Sequence, residues 1–271
     1  MLGKLKKMKD SFGKYIYPIT RAEAVYVSDN KTLAQKLTEI GTGGGGGSPT
    51  NILSGKVWVA LGDSVTEGGY WDNSTGVETV GTPVKTYHEQ IVTKTGITAV
   101  SYGVGGTCIT DRGDNTGFCV RYEKMRNDAD IITVMGGIND YAYSGNTPIG
   151  TFGSTDKTTI HGAMKVLCEG LLQKYPKKPI GFILPFGFNE YKGANTWKPY
   201  EDALIMNLEY YGIPYLNLRK DAPLNANITF INQKYFKFTY GTTTGDKTHP
   251  NTNGFEIIAH PIVKFLEGII R

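Results

Sequence analysis

The stretch Val57-Trp58-Val59-Ala60-Leu61-Gly62-Asp63-Ser64-Val65-Thr66-Glu67-Gly68 decides how this chain is read. Its apolar, β-branched start predicts a buried strand over residues 56–61. The run stops abruptly in a small polar turn that holds a serine. A buried strand that ends in this way presents a hydroxyl at its carboxyl end, where a substrate can reach it. A serine hydroxyl is a weak nucleophile until a base takes its proton. Ser64 therefore sets a requirement on the rest of the chain: a histidine, an acid to orient it, and donors for a developing oxyanion.

Outward from this strand, the sequence alternates strand-like and helix-like runs. Short β-branched segments bounded by turn residues predict further strands over 98–102, 131–135, 180–184 and 214–218. Helical periodicity falls between them, over 83–95, 157–175, 200–211 and 252–270. Pro83 suits a first helical turn. Ile160, Met164, Leu167, Leu171 and Leu172 keep the helical period in the second of these segments. Such alternation argues for an α/β fold, with a parallel sheet covered on both faces. In open sheets of that kind, sites form outside the carboxyl ends of the strands. Glycine and polar residues concentrate at those ends: Gly62-Asp63-Ser64, Gly103-Val104-Gly105-Gly106-Thr107, Gly136-Gly137-Ile138-Asn139-Asp140 and Pro185-Phe186-Gly187-Phe188-Asn189.

Four histidines compete for the role of base. His88, His161 and His260 lie within or at the start of helical patterns and read as structural or surface residues. His249 stands apart, in Gly245-Asp246-Lys247-Thr248-His249-Pro250-Asn251, read as a loop just before the last helix. Asp246 is three residues upstream, so one turn can bring its carboxylate to the imidazole. The acid would hold the Nδ1 proton and leave Nε2 for the serine. For the oxyanion, Asn139 can offer its amide and Ser64 its backbone N–H. Gly106 can offer a backbone N–H unobstructed by a Cβ.

Gly62-Asp63-Ser64, Gly106, Gly137-Ile138-Asn139-Asp140 and Asp246-Lys247-Thr248-His249 resemble, in order, the four blocks of the SGNH (GDSL-type) hydrolase family. Each block is weak alone; four in order, each at a strand end or before the last helix, are specific. The resemblance covers roughly residues 54–271. It implies a three-layer α/β/α, flavodoxin-like fold with a five-stranded parallel sheet. It implies Ser64 as nucleophile, His249 as base and Asp246 as orienting acid, with Ser64, Gly106 and Asn139 as oxyanion donors. No cofactor and no metal are called for. The family includes lipases, thioesterases and acetyl-ester hydrolases acting on sugars, so the resemblance leaves the substrate open.

Aromatic residues near the strand ends bear on the substrate. Tyr70 and Trp71 follow the serine turn, with Asp72 and Asn73 beside them; Phe186, Phe188, Tyr191 and Trp197 follow the fourth strand. Aromatic faces with polar neighbours suit a sugar, whose C–H faces stack while its hydroxyls seek partners. Asp63, Tyr70, Trp71, Asp140 and Phe188 are accordingly the expected substrate contacts. The expected substrate is acetyl or another small acyl ester on carbohydrate; a lipase or thioesterase, or a silent glycan-binding adhesin on the same fold, are the alternatives.

A net charge of +4 over 271 residues is too small to point to nucleic acid. Cys108, Cys119 and Cys168 lack metal spacing and read as buried thiols, with a Cys108–Cys119 bridge left open. No secretory signal and no run long enough for a membrane span is visible. Gly43–Gly47 with Ser48-Pro49 reads as a flexible linker over 43–50, between an amino-terminal segment (1–42) and a hydrolase domain (51–271). Within the first segment, Leu33, Ala34, Leu37 and Ile40 fit one face of a helix over 31–40, suited to assembly with other copies. Tyr17-Pro-Ile-Thr20, Ala24-Val-Tyr-Val27 and Lys31-Thr-Leu33 resemble a leader found on tail and baseplate proteins of phages of Gram-positive bacteria. That likeness implies a virion-attached protein, released by lysis, acting on acylated polysaccharide of the cell surface.

Overall fold

A computed structural model describes residues 51–142, 147–189 and 197–270, and a short antiparallel ladder pairing Met8–Lys9 with Tyr15–Ile16. The chain divides into two units, Met1–Asn51 and Ile52–Arg271. The helix expected over 31–40, the glycine run and Tyr191 lie outside the described residues.

The second unit is built on a five-stranded parallel sheet. Its strands are β1 (Val57–Gly62), β2 (Thr98–Gly103), β3 (Ile131–Met135), β4 (Ile180–Leu184) and β5 (Tyr215–Asn217). They lie in the order β2-β1-β3-β4-β5. β3 and β4 are buried along their whole length, as continuous apolar runs covered on both faces should be. Edge strand β2 is half exposed. Trp58 is fully buried in β1, and its indole N–H donates to Thr133 Oγ1 of β3 at 2.9 Å.

Helices cover the sheet in two groups. α1 (Ser64–Glu67) follows β1 directly, and α2 (Tyr87–Thr95) packs against the terminal helix α9 (Thr252–Ile269), which also touches β4 and β5. α3 (Phe118–Arg121) and α5 (Ile160–Lys174) pack together, and α5 packs on α6 (Lys198–Tyr210). α4 (Ile138–Ala142), α7 (Leu218–Asp221) and α8 (Thr229–Tyr235) are short elements at strand ends. This is the α/β architecture the alternating pattern implies.

Two boundaries differ from the sequence reading. Pro83 does not open a helix; it bridges Trp71, closing the base of a long loop. α2 starts at Tyr87 because Thr86 supplies a capping box with Glu89, whose Oε2 accepts from the Thr86 N–H at 2.8 Å. His249 does not sit in a loop. It lies on strand β7 (Gly245–Pro250), which pairs antiparallel with β6 (Phe236–Phe238). Gly-Asp-Lys-Thr-His-Pro carries almost no β propensity, so the ladder there is a tertiary outcome.

All three cysteines are free and buried, and burial pushes their thiols up to about 12. Among the described residues, no helix is long and apolar enough to cross a membrane, and no cluster of metal-ligating side chains occurs.

The strand order fixes where a site can form. From β1 the chain crosses to β2 on one side, then returns to β3 on the other. The crevice at such a switch point opens beyond the carboxyl ends of β1 and β3. Gly62 pairs with Gly103 on one side and Met135 on the other, so three glycine-rich turns leave the sheet at one level.

Candidate active site

Ser64 is the first residue of α1. Asp63 caps that helix: its Oδ1 accepts from the Val65 N–H at 2.9 Å, and its carbonyl accepts from Thr66 and Glu67. The turn is tight enough that only glycine fits before it. A Cβ on Gly62 would lie 2.1 Å from Thr66 Oγ1. The strand thus hands its chain straight into a helix, and the serine stands at the bend.

Ser64 Oγ lies 2.9 Å from His249 Nε2. His249 Nδ1 lies 2.7 Å from Asp246 Oδ2. The other carboxylate oxygen of Asp246 accepts from the backbone N–H groups of Thr248 and His249, both at 2.9 Å. The acid is therefore held by its own turn as well as by the imidazole. That turn needs a residue in left-handed conformation between acid and base, and Lys247 takes it at φ 62°. Asn232, buried on α8, holds the strained segment from behind. It accepts from the Lys247 N–H at 3.0 Å and donates to the Gly245 carbonyl at 2.8 Å.

Tyr70 closes the histidine's flank. Its ring meets the imidazole edge-on at 5.5 Å between centroids, and its hydroxyl donates to the Pro250 carbonyl at 2.6 Å. Burial and the nearby carboxylates of Asp246, Asp72 and Asp63 push the Tyr70 phenol well up, so it remains a donor.

The opposite side of the crevice comes from the turns after β2 and β3. A Cβ on Gly105 would lie 3.8 Å from Ser64 Cβ, so the β2 turn runs beside the serine. Gly106 has φ 74° and open space where a side chain would be. The N–H groups of Ser64 and Gly106 have no acceptor among the described residues. Asn139 is buried and donates one amide hydrogen to the Thr107 carbonyl at 2.9 Å, which orients the amide beside the same turn. The three oxyanion donors expected from sequence thus belong to adjoining turns.

This constellation supplies a hydroxyl, a base aligned on it, an acid aligned on the base, and unpaired donors. A family model described as GDSL-like Lipase/Acylhydrolase matches residues 60–257. The chain belongs to the GDSL-like lipase/acylhydrolase family. Among solved structures, a protein from Lactobacillus plantarum is similar at 29% identity, covering 79% of this chain and 98% of its own, with a TM-score of 0.60. A candidate GDSL-like lipase from Bacteroides ovatus matches at 20% identity over 79% and 98% of the two chains, TM-score 0.55. An acetylxylan esterase from Geobacillus stearothermophilus matches at 20% identity over 80% and 96%, TM-score 0.49. The Bacteroides likeness bears on the fold alone, and the Geobacillus likeness, below 0.5, carries neither fold nor substrate. Curated proteins give no match.

Within this GDSL-like acylhydrolase domain, three expected substrate contacts prove to be internal. Asp63 is buried beneath the serine turn and serves as the cap. Burial raises its carboxyl to about 6, although the Val65 N–H, His249 and Arg121 favour its charge. Asp140 is fully buried and braces the loop after Thr107. Its oxygens accept from the N–H groups of Ile109 and Thr110 and from the Thr110 hydroxyl, at 2.7–3.0 Å. Phe188 is buried edge-on against Tyr141 and Trp197. Each was placed near the site by its strand-end position, but the side chain turns inward. Trp71, by contrast, is 43% exposed beside Tyr70.

His88 and His161 are structural, as read. His88 lies against the Thr66 carbonyl at 2.9 Å and His161 against the Asn207 amide at 2.8 Å. Asn232 went unread because an asparagine in a weak helical stretch carries no signal of what it will hold.

Proposed function

We propose that the protein is a serine esterase that removes acetyl or other small acyl groups from carbohydrate. The alignment Ser64 Oγ–His249 Nε2–Asp246, with separations of 2.9 and 2.7 Å, carries the reading. In this scheme His249 Nε2 takes the Ser64 proton as Oγ attacks the acyl carbonyl. Asp246 holds the Nδ1–H and stabilises the imidazolium that forms. The oxyanion accepts from the N–H groups of Ser64 and Gly106 and from the Asn139 amide. As the acyl C–O bond breaks, the imidazolium of His249 gives its proton to the departing sugar oxygen, which leaves as a hydroxyl, and a water activated by the same imidazole frees the acyl group from Ser64.

Carbohydrate is favoured by the surface at the turn leading into the strand that carries Asp246 and His249. Strand β7 carries Asp246 near its start and His249 near its end, and the turn that precedes it lines a cavity of about 760 Å³. Glu78, Phe238 and the turn 239–244, with four threonines, line it, and Tyr240 is fully exposed. Hydroxyls, a carboxylate and an aromatic face suit a hydroxyl-rich ligand better than an acyl chain. The phage-tail setting, with assembly through residues 1–42, is proposed on the amino-terminal resemblance.

The test is acyl release, measured by mass spectrometry on acetylated polysaccharides and on p-nitrophenyl esters of increasing chain length. Acetate release that falls steeply with acyl length supports the reading. A preference for long chains would make the protein a lipase, and saccharide binding without release would make it an adhesin.

A further inference from the structure

Arg121, at the end of α3, is half-buried and uses all three guanidinium nitrogens. Nε donates to the Thr116 carbonyl at 2.8 Å and Nη1 to the Tyr102 carbonyl at 2.8 Å. Nη2 donates twice, to the Gly62 carbonyl at 2.8 Å and to Thr107 Oγ1 at 3.0 Å. Gly62 lies two residues before Ser64, and Thr107 directly follows Gly106. Tyr102 lies near the end of β2, just before the turn that carries Gly106. The guanidinium also stacks over Phe118, 5.3 Å from the ring centroid. Phe118 fills the space where a Cβ on Gly136 would fall, at 2.3 Å. One side chain therefore touches the ends of β1 and β2 and the loop after Gly106, and reaches the end of β3 through Phe118.

Those contacts close a small ring. The Thr107 hydroxyl donates to the Val104 carbonyl at 2.7 Å, and the Val104 N–H donates to the same Gly62 carbonyl that Arg121 holds, at 3.1 Å. The Thr107 carbonyl in turn accepts the Asn139 amide. A planar guanidinium fixes such acceptors at set angles to one another, which a lysine ammonium cannot do. Burial makes the charge costly, and the nearby carboxylates of Asp63 and Glu67 offset that cost.

We propose that Arg121 is a positioning residue for ester hydrolysis: it sets the spacing between the turn that carries Ser64 and the loop that carries Gly106 and orients Asn139. The assignment rests on the serine-esterase reading. It touches no substrate, so its loss should lower kcat and leave KM nearly unchanged. A misplacement of about 1 Å at a reacting group costs up to about 100-fold.

The experiment is steady-state hydrolysis of p-nitrophenyl acetate by full-length wild type, Arg121→Lys, Thr107→Val and Asn139→Ala, and by the Arg121→Lys/Asn139→Ala double variant. Arg121→Lys should lose about 10- to 100-fold in kcat with KM within about threefold. In the Asn139→Ala background the same change should cost several-fold less than in wild type, because one of the donors it positions is already gone while the spacing of Ser64 and Gly106 still responds. A merely structural arginine would lower the melting temperature and give the same fold loss in both backgrounds, and that multiplicative result overturns the proposal. Thr107→Val removes one of Arg121's four acceptors, along with the hydroxyl's own bond to the Val104 carbonyl, so it tests the same ring if Arg121→Lys does not fold. A kcat loss of about 3- to 10-fold supports the assignment, and unchanged kcat overturns it. A wild type with no turnover would overturn the esterase reading and this assignment together, whereas active wild type with unaffected variants overturns this assignment alone.

Discussion

Asp63→Asn should alter how stability depends on pH, and the size of the change follows from burial. Asp63 is about 1% exposed, with Oδ1 on the Val65 N–H and Oδ2 without a hydrogen-bond partner among the described residues. Its carboxyl rises from the ordinary 3.8 to about 6, chiefly because burial penalises the charge. A carboxyl raised in the folded state stabilises fully below the unfolded value of 3.8. That contribution disappears as pH climbs through about 6. At about 1.36 kcal/mol per pKa unit, the charged form costs the fold about 3 kcal/mol at neutral pH. Asparagine caps a helix as well as aspartate does and never ionises. Its amide nitrogen would be buried without a partner, a cost of about 1–3 kcal/mol that does not depend on pH. The diagnostic is therefore the slope and not the offset. Urea denaturation of both proteins from about pH 4 to about pH 8 should show the variant gaining about 2.5 kcal/mol on the wild type, since the unfolded carboxyl is already partly ionised at about pH 4. Parallel stability curves would show that Asp63 is not the buried, strained carboxylate described above.

Three further outcomes are expected. Ser64→Ala should abolish p-nitrophenyl acetate hydrolysis while the circular dichroism spectrum and melting temperature stay at wild-type values; residual turnover at the wild-type rate would end the serine mechanism. Asn232→Ala should lower kcat by about tenfold at near-constant KM, since it frees the left-handed Lys247 turn that spaces Asp246 from His249, and unchanged kcat would show that the turn holds itself. Gly62→Ala should cost about 1–3 kcal/mol in chemical denaturation, because the added methyl meets the buried Thr66 side chain and the Met135 carbonyl; wild-type stability would mean that the serine turn can shift.

The sheet and the reacting groups were legible because their signals are local. Strands β3 and β4 run as read, since a strand buried on both faces announces itself as an unbroken apolar run. Ser64, Asn139 and Gly106 could be picked out because chain polarity alone sends every parallel strand's carboxyl end to the same edge. What failed was side-chain direction. Asp63, Asp140 and Phe188 stand at that edge, yet all three point into the fold, where two buried carboxylates hold backbone N–H groups. Position along a chain does not record which way a side chain turns at an irregular bend. The hairpin that carries the base was equally hidden, because its ladder depends on Phe236 and Phe238 meeting a stretch with no strand character of its own.

That hidden hairpin changes how the site is held together. Ser64 begins the helix that leaves β1, a strand buried in the centre of the sheet. Asp246 and His249 ride on a two-stranded ribbon, and isolated ribbons of that size are marginal in water. The 2.9 Å contact between Ser64 and His249 therefore depends on what docks the ribbon. Several groups outside the ribbon do so, three of them side chains on its backbone. Tyr70 donates to the Pro250 carbonyl, Asn73 donates to the Phe236 carbonyl at 3.0 Å, and Asn232 grips the turn between acid and base. Two of the three belong to the loop that leaves α1, the helix Ser64 itself begins. The segment after the serine thus reaches across to hold the histidine. Displacement of the 70–83 loop would separate the two halves of the site before it disturbed either one, so activity should fail at lower urea concentration than the sheet unfolds. Coincident loss of activity and of near-ultraviolet signal would show that ribbon and sheet behave as one cooperative unit.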